Sequence, residues 1–99
     1  MAFVQIIEMT TPNIGDVEAL MDEWTAKTEG RRKAHRAVLT EDRDRPGTYV
    51  QIVEFSSYEE AMANSDMPET SEYAARIAPL CDGPLTFRNL TAVRVDDLD

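Results

Sequence analysis

Cysteine, histidine and tryptophan each occur once in these 99 residues. The lone Cys81 has no internal disulfide partner, which suits a reducing cytoplasm. One histidine and one cysteine, without ligand spacing, give no basis for a metal site. Basic residues are scarce as well: 10 against 19 acids, a formal net charge of −9. Phosphate backbones and anionic membrane surfaces both require a concentrated basic face, so nucleic acid and membrane are not expected partners. No apolar run approaches the roughly 20 residues of a membrane span. The chain enters a strand pattern at once, with no basic n-region or cleavage motif, so no signal peptide is expected. A Gly-rich phosphate loop, a nucleophile elbow and a dinucleotide fingerprint are all missing, so no cofactor is implied.

What the chain does contain is a repeat. Phe3-Val4-Gln5-Ile6-Ile7-Glu8-Met9 returns as Tyr49-Val50-Gln51-Ile52-Val53-Glu54-Phe55. Both runs are β-branched and nearly continuous in apolar residues, the pattern of a strand covered on both faces. Each is followed by Ser or Thr and then by helical periodicity.

A strand over 2–9 gives way to Thr10-Thr11-Pro12-Asn13, where Thr11 or Asn13 can cap a helix. Ile14, Val17, Leu20, Met21 and Trp24 form one apolar stripe on that helix, which Gly30 ends. Residues 33–41 read as a second strand, with His35, Ala37 and Leu39 on one face. Asp44-Arg45-Pro46-Gly47 predicts a tight turn into a third strand over 48–55. Ser57 with Glu60 forms a capping box that opens a second helical region. Asn64-Ser65-Asp66-Met67-Pro68 breaks that region. Beyond the break, Tyr73, Ala74, Ile77, Leu80 and Cys81 line one side of the resumed helix. Asp82-Gly83-Pro84 stops it, and 85–95 reads as the last strand.

This order, β-α-β-β-α-β, predicts one domain over 1–99 of the α+β, ferredoxin-like class: a four-stranded antiparallel sheet with helices on one face. The first and third strands belong in the centre. Their apolar residues point both ways, with Phe3, Ile7, Tyr49, Val53 and Phe55 on one face and Val4, Ile6, Val50 and Ile52 on the other. A bare face of that composition would be a large exposed apolar patch. Packing it against the same face of a second copy predicts a two-fold homodimer, its sheets closing into an α+β barrel.

These features resemble the dimeric α+β barrel superfamily, most closely its antibiotic-biosynthesis-monooxygenase-like branch. The resemblance rests on the element order, the repeated strand, the run Tyr49–Phe55 leading into Ser56-Ser57-Tyr58-Glu59-Glu60-Ala61, and the broken second helix. It implies one of several activities on aromatic small molecules, among them cofactor-free oxygenation, polyketide cyclisation and haem degradation. Haem-degrading members carry a histidine on the second helical region, where this chain has none. Cofactor-free oxygenases place asparagine, tryptophan and tyrosine along that region. Asn64 and Tyr73 match the first and last, while Pro68 lies near the place of the missing tryptophan.

His35 is the candidate catalytic residue, as the only side chain whose ordinary pKa lies near neutrality. It would deprotonate a phenol or hydroquinone so that the anion can meet oxygen or cyclise; otherwise it is an edge-strand histidine facing water. Asn64, Tyr58, Tyr73, Tyr49 and Gln51 are the candidate substrate-binding residues, since tyrosine hydroxyls and amides at core positions need partners. Phe3, Phe55 and Trp24 are assigned to the core. Gln5 and Gln51 are expected to bond each other, and Glu8 and Glu54 to bridge to Arg88 or Arg94. A monooxygenase-like enzyme on an aromatic or quinol-like molecule is the first functional expectation. A non-catalytic ligand-binding or assembly module and a cyclase or isomerase are the alternatives.

Overall fold

The computed structural model describes residues 2–99. Four strands and three helices are present: β1 (Phe3–Thr10), α1 (Ile14–Lys27), β2 (Arg36–Glu41), β3 (Thr48–Phe55), α2 (Tyr58–Ser65), α3 (Pro68–Ile77) and β4 (Thr86–Thr91), with a 3₁₀ turn over Ala78–Leu80. The sheet is antiparallel in the order β2-β3-β1-β4, so the two repeated strands are central as their composition requires. Phe3 pairs with Phe55 and Met9 with Tyr49, which lays the two copies head to tail.

Local chemistry sets the ends of these elements. Thr48 N–H reaches Arg45 C=O at 3.0 Å across Pro46 and Gly47, and Gly47 takes φ +88°. This is a type II turn, which needs glycine at its third position. At α1, Arg31 and Arg32 donate to the carbonyls of Lys27 and Thr25 at 2.7 and 2.8 Å, so the cations complete the helix end. Ser57 Oγ accepts from Glu60 N–H at 3.1 Å, as the capping box demands. Pro68 is the first residue of α3, where its missing N–H costs nothing.

Several ends differ from the sequence reading. Neither Thr11 nor Asn13 caps α1 by its side chain: Thr11 Oγ1 accepts from Asn13 N–H, and the Asn13 amide turns to Leu80 C=O. Met67 precedes α3 as its N-cap, without a side-chain cap bond. β2 starts at Arg36 rather than 33, because its partner β3 ends at Phe55 and offers only Glu54 C=O to His35 N–H, at 2.8 Å. β4 stops at Thr91 rather than 95, because Thr91 already faces Phe3, the first residue of β1.

All three helices lie on one sheet face, held by odd-numbered strand residues. Phe3, Val53 and Phe55 pack with Ala61 of α2, and Met9 packs with Val17 of α1 and Ile77 of α3. The other face carries Val4, Ile6, Val38, Val50 and Ile52, each half-buried, with no helix over them among the described residues. Glu54 there pairs with Arg36 at 3.5 Å, and Glu8 with Arg45 at 3.3 Å. The expected bridges to Arg88 or Arg94 do not form. Arg94 lies past the sheet and meets Asp96 instead.

Candidate functional site

The two apolar clusters sit at opposite ends of the helix-facing surface, and the middle is left open. Gln5, Ile7 and Gln51 form its floor, where the sequence places two amides among aliphatic neighbours. Above them the break between α2 and α3 prevents one continuous helix from closing the gap. The result is a cleft of two lobes that share Gln5, Ile7, Gln51, Thr70 and Tyr73.

The first lobe, about 200 Å³, lies over β2 and β3 beneath α1. Met21, Trp24, Leu39, Val53 and Phe55 supply its apolar wall, and Asn64 and Thr25 its further polar atoms. The second lobe, about 400 Å³, runs between α3 and β4 and is bordered by Ile77, Leu85, Phe87, Ser65, Ser71 and Asn89. Among the described residues no Asp, Glu, Lys, Arg or His lines either lobe. In a chain that is 29% charged, this segregation defines the chemistry available: neutral donors and acceptors on an apolar wall.

Tyr73 stands where the lobes meet. Its hydroxyl is buried and has no hydrogen-bond partner among the described residues. Burial pushes its phenol far above the ordinary tyrosine range, so the group stays protonated and acts as a donor. Trp24 packs beside it, ring centroids 6.2 Å apart and tilted by 40°. The indole Nε1–H is fixed by Thr70 Oγ1 at 3.0 Å, which ties α1 to α3 above the cleft. Asn64 is 6% exposed. Its Oδ1 accepts from Lys33 N–H at 2.9 Å. That bond settles the amide's orientation and leaves Nδ2 as the free donor of a cleft-lining residue.

Of the residues singled out from sequence, Asn64, Tyr73 and Gln51 come together in the cleft. Tyr58 does not. Its ring lies edge-on against Phe3 with centroids 5.7 Å apart, and it is 55% exposed. Tyr49 packs against the Met9, Val17 and Ile77 cluster, outside both lobes. Burial, and then the Glu41 carboxylate, push its phenol upward. His35 is exposed, with Nε2 and Ser56 Oγ 2.6 Å apart. It precedes the start of β2, so its ring turns to the β3–α2 corner rather than continuing the Ala37 and Leu39 face.

The glutamines also depart from expectation. Gln5 Nε2 donates to Asn89 Oδ1 at 3.2 Å across the β1–β4 pair, not to Gln51. Gln51 lies between Ile7 and Leu39 on the neighbouring strands. Sequence reasoning also missed Trp24, Thr70 and Asn89 as lining residues. The indole N–H of Trp24 was a usable signal, since a core tryptophan on an apolar stripe still needs an acceptor. Asn89 becomes visible only through the strand register. Among the described residues no group of three or more metal-ligating side chains forms, and no helix is long and apolar enough to cross a membrane.

No family model matches the chain, and no curated protein matches its sequence. Solved structures do match its shape. Rv0793 from Mycobacterium tuberculosis superposes with a TM-score of 0.79 at 17% identity, over 98% of this chain and 100% of that one. SnoaB, a cofactor-independent oxygenase from Streptomyces nogalater, gives 0.78 at 16% identity, over 95% of each chain. An antibiotic biosynthesis monooxygenase gives 0.73 at 21% identity, over 95% of this chain and 100% of that one. The chain therefore has the ferredoxin-like α+β fold of the antibiotic biosynthesis monooxygenase structures.

Proposed function

We propose that this protein is a cofactor-independent monooxygenase of aromatic or quinol-like small molecules, working in the cleft around Tyr73. The observation that carries this reading is a buried, unpartnered phenol hydroxyl at the junction of an uncharged cleft walled by Trp24 and Phe55. An orphan buried donor costs stability unless a ligand oxygen satisfies it. Tyr73 O–H, Asn64 Nδ2 and the Gln51 amide are neutral donors suited to an oxygen that gains negative charge when a phenol, anthrone or hydroquinone ionises. The apolar wall excludes water and holds the flat ring system. Oxygen then adds to the carbanion form of the ligand. For an anthrone, one C–O bond forms to give a hydroperoxide, the O–O bond breaks, and the CH₂ becomes C=O as O₂ leaves its second atom in water. Two ring-carbon hydrogens go into that water, so atoms and electrons balance without an added reductant.

The cleft accepts no proton in this scheme. Tyr73 is held neutral and no other ionisable side chain among the described residues lines the lobes, so the ligand's proton passes to solvent. His35, bonded to Ser56 at the surface, has no part in it. The same absence of a base is what favours the second reading, a module that binds an aromatic ligand without turning it over; it speaks against a cyclase or isomerase, which must shuttle protons. Oxygen uptake in the presence of anthrone separates the two. Uptake above the spontaneous rate, lost in Tyr73→Phe, supports the oxygenase. Saturable binding with no added uptake supports the module. The uncovered face carrying Val4, Ile6, Val50 and Ile52 supports a homodimer built sheet to sheet, which sedimentation at micromolar concentration tests.

A further inference from the structure

We infer that the wider lobe of the cleft is a subsite for a neutral amide-like arm of the ligand, read by the Gln5–Asn89 pair. The inference rests on the aromatic-ligand reading above and names what the ring must carry. Gln5 lines both lobes, whereas Asn89 lines the wider one alone. One bond joins them, from Gln5 Nε2 to Asn89 Oδ1 at 3.2 Å. Whichever amide donates, that bond leaves one acceptor and one donor free on the pair, here Gln5 Oε1 and Asn89 Nδ2. Neither atom has another hydrogen bond among the described residues.

An acceptor beside a donor is the complement of a carboxamide, lactam or urea edge, which offers N–H and C=O side by side. A carboxylate meets the same pair badly. One of its oxygens satisfies Asn89, while the other faces the lone pairs of Gln5 Oε1. Among the described residues no Lys, Arg or His lines the lobe to offer the carboxylate a cation. Ser65 and Ser71 on the helix side add hydroxyls that either donate or accept, so a neutral polar arm finds partners on both walls. The plain apolar ring belongs in the narrower lobe by Trp24, and the arm passes Gln5 to reach Asn89.

Trp24 is the only tryptophan, so its fluorescence reports the narrower lobe directly. The test titrates the intact protein with 2-methylnaphthalene, 2-naphthamide and 2-naphthoate near pH 7. All three change the Trp24 signal if the cleft takes aromatic rings. Naphthamide is expected to bind about tenfold more tightly than naphthoate, on the order of one well-made hydrogen bond plus one avoided repulsion. Asn89→Leu lowers that ratio toward one. Asn89→Asp keeps an acceptor for Gln5 but removes the donor, and it weakens naphthamide too. Equal affinity for naphthamide and naphthoate, an undiminished ratio in Asn89→Leu, or unchanged naphthamide affinity in Asn89→Asp overturns the amide subsite. Failure of 2-methylnaphthalene to bind at all overturns the aromatic-ligand reading beneath it, which is a different result.

Discussion

The two halves of this protein start from one strand pattern and end in different roles. In the first half, β1 leads into a single helix of 14 residues whose apolar stripe packs down without interruption. In the second, β3 leads into 8 residues of α2, a break, and 10 residues of α3. The unbroken helix contributes wall: Met21 and Trp24. The broken one contributes groups with something left to give: Asn64 Nδ2 and the Tyr73 hydroxyl. The glutamines divide in the same way. Gln5 is held by Asn89 on the edge strand, while Gln51 lies between Ile7 and Leu39 and keeps its amide for the cleft. The repeat supplies a frame, and the neighbour across the strand decides which copy keeps its polar groups free.

Where the halves are equal, breaking either should cost the same. Phe3 and Phe55 face each other across β1 and β3, both 3% exposed, ring centroids 6.3 Å apart. Phe3→Ala and Phe55→Ala are each expected to lower the unfolding free energy by about 3–5 kcal/mol, the cost of a large cavity in a close-packed core. Urea denaturation measures both. Costs that differ by more than about half would show that the copies are not equivalent even in the core.

Where the halves differ, Tyr73→Phe gives the sharpest contrast. Removing a buried hydroxyl without a partner is expected to raise stability by about 1 kcal/mol, since its desolvation is no longer uncompensated. Anthrone-dependent oxygen uptake is expected to fall about 100-fold, as when one donor to a developing oxyanion is removed. Stability and activity moving in opposite directions is the signature of a group kept for function. The pH dependence adds a check. Burial raises the folded phenol above its unfolded value of about 10, so unfolding releases a proton more readily. The associated stability is present below about pH 10 and is lost as pH climbs toward the folded value. Thermal melts of Tyr73→Phe should lack this alkaline loss.

Much of this was legible in the chain. Period-two and helical patterns located the four strands and three α-helices, and the repeated strand placed β1 and β3 at the centre. Asn64 was singled out at the helix break, and Tyr73 by a hydroxyl that needs a partner; both line the cleft. What the pattern could not carry was cross-strand register at the edges. His35 alternates with Ala37 and Leu39, yet the strand begins only at Arg36, so alternation did not govern its ring. Asn89 looked like one more polar residue on an edge strand until pairing set it opposite Gln5. Trp24 fitted an apolar stripe so well that its N–H, and the Thr70 hydroxyl 46 positions away, went unmatched. In each case local periodicity was right about the element and silent about the neighbour.

The glutamine pair turns that lesson into a measurement. Gln5→Leu removes the donor to Asn89 Oδ1 and is expected to cost about 0.5–1 kcal/mol, kept small by the exposure of that bond. Gln51→Leu replaces an unbonded amide between Ile7 and Leu39 with a side chain that suits both, so stability holds or rises by a similar amount. Ligand affinity should fall in both. Opposite signs in stability, read from chemical denaturation, mark the two copies as divergent at this site.

The smallest effect expected is the one that bears hardest on mechanism. His35 belongs to the segment joining the halves, and its ring meets Ser56 Oγ at an exposed corner. If the second half carries the chemistry, the only histidine is dispensable. His35→Gln keeps a hydrogen-bonding partner for Ser56 and should change stability by no more than about 0.5 kcal/mol, as for most surface replacements. Oxygen uptake should be unaltered, and its pH profile should follow the ionisation of the substrate, shifting when an anthrone is exchanged for a more acidic phenol. A limb in the wild-type pH profile that vanishes in His35→Gln would restore the imidazole as the base and move the reacting centre out of the cleft.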